Sequence, residues 1–129
     1  MLARDLYQLL GTPGNGAALR KKIAPAMPDY RRDLSEKGRP CPVEIQSDGS
    51  LLVIAASHLL VLCDAFLDEE IDEVELEYLA TVLERTPDFN FVSRIVEDCA
   101  TFLTSRVPNG PTVKETVTAV RRALREHSS

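Results

Sequence analysis

Between Leu51 and Leu67 only Ser57, His58 and Asp64 interrupt an otherwise apolar run. A helix of that composition has no polar face, so it belongs inside a core and not on its surface. The run is also shorter than the roughly 20 residues a bilayer span needs. A central helix over 51–66, buried nearly all round, is the expectation. Its first residues, Leu51 to Ile54, could instead pair as a strand with Val43 to Ile45, which alternate apolar and polar ahead of the turn signal Ser47-Asp-Gly-Ser50.

The character of the chain then inverts. Eight carboxylates lie between Asp64 and Glu77 with no basic residue among them. Like charges one helical turn apart repel, so such a cluster costs stability unless something outside the helix uses it. The acidic stretch is itself helical by pattern. Asp72 followed by Glu75 has the spacing of a capping box, and early acids favour the positive end of the helix dipole. Ile71, Val74, Tyr78, Leu79, Val82 and Leu83 then form one apolar stripe, with Asp72, Glu73, Glu77 and Glu84 off it and Pro87 closing the helix.

The remaining segments repeat that logic. Leu2, Leu6, Leu9 and Leu10 recur at helical spacing and end in the loop Gly11-Thr-Pro-Gly-Asn-Gly16. Residues 17–24 resume helix, with Leu19 and Ile23 on one face, until Pro25 and Pro28 break or bend it. Residues 27–37 form a weakly amphipathic segment carrying Arg31, Arg32 and Lys37 that leads into a loop at 38–42. Phe89 and Phe91 point two rings at the core. Ser93 caps a helix through Leu103 with Ile95, Val96, Cys99, Phe102 and Leu103 inward. After a turn over 107–111, Thr112 with Glu115 caps a last helix that buries Val113, Val117, Val120 and Leu124 and carries Arg121, Arg122 and Arg125 outside. The expected fold is mostly all-α: one domain over 1–129, a bundle of five to six helices with one short β element near 43–54. Within it, 1–41 form a basic N-terminal helical region and 52–126 a helical core.

Charge is distributed by segment. Residues 1–41 carry eight basic and four acidic side chains, net +4; residues 42–105 two basic and fourteen acidic, net −12; residues 106–129 five basic and two acidic, net +3. The expected molecule is an electrostatic dipole whose acidic middle repels nucleic acid and anionic membranes and attracts a basic protein.

Catalytic and metal chemistry find little to work with. His58 lies in the apolar run and His127 in the tail, neither at a recognisable spacing from a nucleophile. The glycine-rich loop at 11–16 lacks the Lys-Ser/Thr ending of a phosphate loop. Asp64 to Glu75 has acids at several positions of a calcium loop, but Phe66 occupies the third position and Glu69 the sixth, where a ligand and a glycine are required. Cys63 and Cys99 sit on apolar faces and Cys41 between two prolines. An odd number of cysteines without an apolar leader after Met1 suits reduced thiols in a cytosol. No enzyme activity, cofactor or metal is expected.

Four stretches resemble a known group. Leu62-Cys-Asp-Ala-Phe-Leu-Asp-Glu-Glu, Leu76-Glu-Tyr-Leu-Ala, Pro87-Asp-Phe-Asn-Phe and Asn109-Gly-Pro-Thr resemble small acidic helical immunity proteins of bacterial toxin–immunity systems, contact-dependent growth inhibition included. The resemblance spans about 52–120. It departs before Asn109, where Arg106-Val-Pro stands in place of the family's acidic residues. The stretch from Leu62 to Tyr78 is also similar to acid-rich helical domains of the tellurite-resistance type, which would make the chain a helical adaptor or stress-response domain, metal-linked in some settings. The first resemblance implies a cytoplasmic protein that binds a cognate toxin domain and blocks it. A toxin that cuts nucleic acid presents a basic cleft, and an anionic helical face suits it. The residues expected to make that contact are Asp68, Glu69, Glu70, Asp72, Glu73 and Glu77. The sequence sets no oligomeric state.

Overall fold

The computed structural model describes residues 2–37, 47, 49–104 and 112–127. The loop at 38–42 with Cys41, the proposed strand at Val43–Ile45 and the turn at 107–111 lie outside the described residues.

Helix α1 (Ala3–Leu10) buries Ala3, Leu6 and Leu10, the one-face spacing that the leucines announced. Helix α2 (Gly16–Ile23) buries Leu19 and Ile23. The α-helix stops at Ile23, ahead of Pro25, at the break or bend expected of the prolines. A single 3-10 turn (Ala24–Ala26) carries it into α3 (Met27–Lys37). Pro25 has no N–H to continue the α-helical ladder, so the turn tightens. Pro28 falls in the first turn of α3, where the missing N–H removes nothing. This segment is therefore tied into the core, and its Tyr30 is fully buried.

The apolar run divides in two. Leu52–Ile54 is strand β1, and the central helix α4 (Ala56–Leu67) starts only afterwards. Of the two readings of 51–54, helix start or strand, the structure has the strand, and the central helix begins at Ala56 and not at Leu51. Strand β1 pairs in parallel with β2 (Phe89–Phe91), Leu52 opposite Phe89 and Ile54 opposite Phe91. Parallel pairing requires a crossover, and α4 with α5 (Glu73–Arg85) provides it. Helix α6 (Arg94–Thr104) follows, its Val96 N–H donating to Ser93 Oγ at 3.4 Å. Helix α7 (Val113–His127) begins with Glu115 N–H donating to Thr112 Oγ1 at 3.1 Å. The described residues thus hold seven α-helices, two of them joined end to end so that six rods result, and one two-stranded sheet.

One hydrophobic cluster joins all of it. Leu6, Leu19, Ile23 and Tyr30 from the N-terminal helices meet Leu59, Leu62, Leu79 and Leu83 from α4 and α5, and Val117 and Leu124 from α7. Each such side chain contributes about 1.5–3 kcal/mol on burial. Helix α4 lies against α7, and α5 against α6. Two expectations fail here. Ile95 and Phe102 face solvent, 41 % and 59 % exposed. Val96, Cys99 and Leu103 are buried as expected, with Ala100 beside them. Arg121 is likewise not on the outer side: its Nε donates to Asp64 Oδ1 at 2.5 Å, linking α7 to α4.

Candidate functional site

The acidic stretch folds as the end of α4, a tight turn and the start of α5. The turn has the bond pattern of a Schellman ending. Glu70 N–H donates to Ala65 O at 2.9 Å and Glu69 N–H to Phe66 O at 3.1 Å. Glu69 takes the left-handed conformation, φ 62°, where glycine is the usual residue. The turn thereby throws Asp68 and Glu69 outward and Glu70 inward. A Glu70 carboxylate oxygen accepts from Ala17 N–H at 3.2 Å, at the first turn of α2. Gly16 makes room for this contact, since a Cβ there would stand 2.7 Å from Glu70 Cβ and 2.9 Å from Ala65 Cβ.

Next, Asp72 caps α5. Glu75 N–H donates to Asp72 Oδ1 and Asp72 N–H to Glu75 Oε1, both at 2.9 Å. This is the capping box read from the sequence. Each acid of the box also holds an arginine from the N-terminal helices. Arg31 Nη2 stands 2.7 Å from Asp72 Oδ2. Arg20 reaches Glu75 through Nε at 3.0 and 3.1 Å and Nη2 at 2.8 Å. Burial opposes ionisation of Asp72, but the Glu75 N–H and the Arg31 guanidinium outweigh it and hold the carboxyl below its ordinary range. The same carboxylates, Glu75 first, raise Arg20.

The expectation of an acidic cluster without counter-charges is therefore corrected. Asp64, Asp72 and Glu75 have ion-pair partners, and Glu70 is spent on a helix end. The Tyr30 hydroxyl comes to 3.5 Å from Glu77 Oε1. Asp68, Glu69 and Glu73 remain: all three are exposed, and none makes an ion pair among the described residues.

Beside them lies a cleft of about 290 Å³. Phe66, Leu67 and Ile71 give it an apolar lining. Glu69, Asp72 and Glu73 supply carboxylates, and Arg20 and Lys114 stand at its edge. Of the six acids expected to act together, Glu69, Asp72 and Glu73 line this cleft, while Asp68, Glu70 and Glu77 do not. Sequence reasoning missed Arg20, Arg31 and Lys114. Arg20 and Glu75 are 55 positions apart, and Arg31 and Asp72 are 41 apart. The available signal was the opposed net charge of residues 1–41 and 42–105, which such pairings partly cancel.

The family comparison, the curated proteins and the solved structures returned no match for this chain.

Elsewhere the titratable groups are structural in placement. Burial, followed by the neighbouring Asp64, pushes the Cys63 thiol up to about 12, and burial with Asp98 raises Cys99. Neither is a ready thiolate. His58 Nδ1 accepts from Ala55 N–H at 2.9 Å at the start of α4, and its ring lies 4.8 Å from that of Tyr7. Among the described residues no three His, Cys, Asp or Glu side chains gather as a metal-binding group, and no helix is long and apolar enough to cross a membrane.

Proposed function

We propose that this is a protein-binding, immunity-type protein, which neutralises a cognate toxin by presenting the acidic turn between α4 and α5 to a basic cleft. The supporting observation is the division of labour among the carboxylates. Internal arginines take up Asp64, Asp72 and Glu75, while exposed Asp68, Glu69 and Glu73 keep their charge for a partner. Their support is rigid, because the turn is braced by Glu70 on α2 and by the capping box. A lysine or arginine of the partner can lay its methylenes on Phe66 and Leu67 and direct its charge to Glu69 and Glu73. Complementary charge of this kind mainly accelerates encounter and selects the partner. The same face disfavours phosphate backbones, so a nucleic acid is not the ligand. The cytoplasm is the compartment in which such neutralisation takes place.

The test is to identify the products of the neighbouring genes, express any that is toxic to a bacterial host, and co-express it with wild type and with a variant in which Asp68, Glu69 and Glu73 are all changed to Lys; the absence of any toxic neighbour would count against the reading. Glu70 and Asp72 are left intact because they hold the fold. Wild type should restore growth and co-purify with the toxin; the variant should keep its far-ultraviolet spectrum and do neither. Equal protection by both proteins would reject the reading.

A further inference from the structure

Two cations of α2, Lys21 and Lys22, line the same groove. Arg20, Arg31 and Arg32 stand beside Glu75, Asp72 and Asp29. Lys21 has no ion pair among the described residues, and Lys22 makes only a long one, 3.6 Å to Asp5, between two half-exposed side chains. Both lysines border a groove of about 790 Å³ lined by α1, α2 with the following 3-10 turn, and Tyr78 of α5. Helix α1 contributes Asp5, Gln8 and Leu9 to it, and the opposite wall contributes Lys21, Lys22 and Pro25. Ala18 and Ala26 add no bulk, so a main chain can lie low in the groove.

We infer that this groove is a second binding site, separate from the acidic turn, and that it takes an extended acidic peptide with apolar residues between its carboxylates. Charge complementarity selects that ligand: two ammonium groups face one carboxylate, and the Lys22–Asp5 pair is open enough to exchange for a stronger acceptor. Such exposed ammonium groups attract carboxylates by steering more than by tight bonding. Leu9 and Pro25 offer apolar contact to alternate side chains, as extended peptides require. Gln8 offers a donor and an acceptor from the other wall.

The probe is a fluorescein-labelled peptide of alternating Glu and Leu, with an alternating Lys and Leu peptide as the control. Binding is read by anisotropy and mapped by amide chemical shifts on the labelled full chain. The acidic peptide should saturate, shift amides of α1 and α2, and leave the α4–α5 turn unmoved. The variant with Lys21 and Lys22 changed to Glu should bind at least about tenfold more weakly, a free-energy change of roughly 1.4 kcal/mol. Ala18→Gln, which fills the groove without altering charge, should weaken binding as well. Thermal melts of both variants establish that they fold. No saturation, an affinity in either variant equal to that of wild type, or binding of the basic peptide at the same amides would overturn the proposal. Groove shifts that appear on concentrating the protein alone would overturn it too, by assigning the groove to a second copy of the chain. Because the readout lies on α1 and α2, its failure leaves the toxin-binding reading separately testable.

Discussion

The Arg20 guanidinium holds the Glu75 carboxylate by two nitrogens, and Glu75 is itself 4 % exposed while Arg20 remains half in solvent. One residue of the pair is thus a core element and the other its link to water. Glu75 also accepts the Asp72 N–H, so a single side chain closes the cap of α5 and fastens α2 to it. Glu75→Ala should lower stability by about 1–3 kcal/mol, the range for hydrogen bonds to charged groups. Arg20→Ala should act in the same direction, and more strongly than Arg32→Ala, whose pair with Asp29 is surface-exposed on both sides. Denaturant melts of the two single variants and the double variant complete the cycle. Strict additivity would show that the two residues stabilise the fold independently.

Gly16 and Glu70 depend on each other sterically. An alanine at an exposed helical position usually stabilises relative to glycine by about 0.5–1 kcal/mol. At Gly16 the sign should reverse, because the new Cβ meets the near atoms of Ala65 and Glu70 and not the far end of a flexible chain. The expected cost of Gly16→Ala is about 1–3 kcal/mol, as for other forced overpacking. Combining it with Glu70→Ala should not restore stability, because the N–H of Ala17 then loses its acceptor. A rise in melting temperature for Gly16→Ala would contradict the packing described at this turn.

What the sequence made legible was local. The capping box at Asp72, the Thr112 cap of α7, the stripe of α5 and the helical spacing of Leu6 and Leu10 in α1 follow from spacing within one helix, and each is in place. What it concealed depended on distant partners. Strand β1 carries no turn signal toward β2, from which it is separated by two helices, so the sequence leaves 51–54 open between helix and strand and does not name β2 as a partner. Helix α6 has two overlapping apolar stripes, and only packing against α5 decides that Phe102 stays outside. Six acids looked alike in sequence. Three of them, Glu70, Asp72 and Glu77, meet Ala17, Arg31 and Tyr30 of the N-terminal helices, whereas Asp68, Glu69 and Glu73 face solvent.

Glu69 stands where glycine is the usual choice. The left-handed conformation costs an ordinary residue about 1–2 kcal/mol. Glu69→Gly should therefore raise stability, by about 1 kcal/mol once the greater entropy of the unfolded chain is set against the relieved strain. If the turn binds a basic partner, the same variant should bind more weakly, since it loses one of three exposed carboxylates. Opposite changes in melting temperature and in partner affinity are the expected pair of measurements. A variant that gains stability and keeps its affinity would remove Glu69 from the interface.

His58 makes the fold sensitive to mild acid. Burial lowers its pKa from the ordinary value of 6.5. Its Nδ1 accepts the Ala55 N–H, so the folded ring carries its single proton on Nε2. The unfolded chain takes up a second proton near the ordinary value, and the folded chain only at lower pH. In that interval the unfolded state holds more protons, so stability rises with pH. The contribution is complete above about pH 6.5 and is lost as the pH falls through the folded value. The damage on protonation is local and identifiable: a proton on Nδ1 faces the Ala55 N–H, the start of α4 loses its acceptor, and the Tyr7 ring loses its neutral neighbour. Tyr7 also donates its hydroxyl to Val53 O at 3.0 Å, so α1, β1 and α4 should loosen together. Melting temperature should fall between about pH 7.5 and pH 5.5 in wild type. Asp72, held below its ordinary range, adds nothing in this window, because its contribution disappears only at more acidic pH. His58→Gln should be less stable near neutrality and flatter across the interval. A slope unchanged in His58→Gln would assign the acid sensitivity to another group.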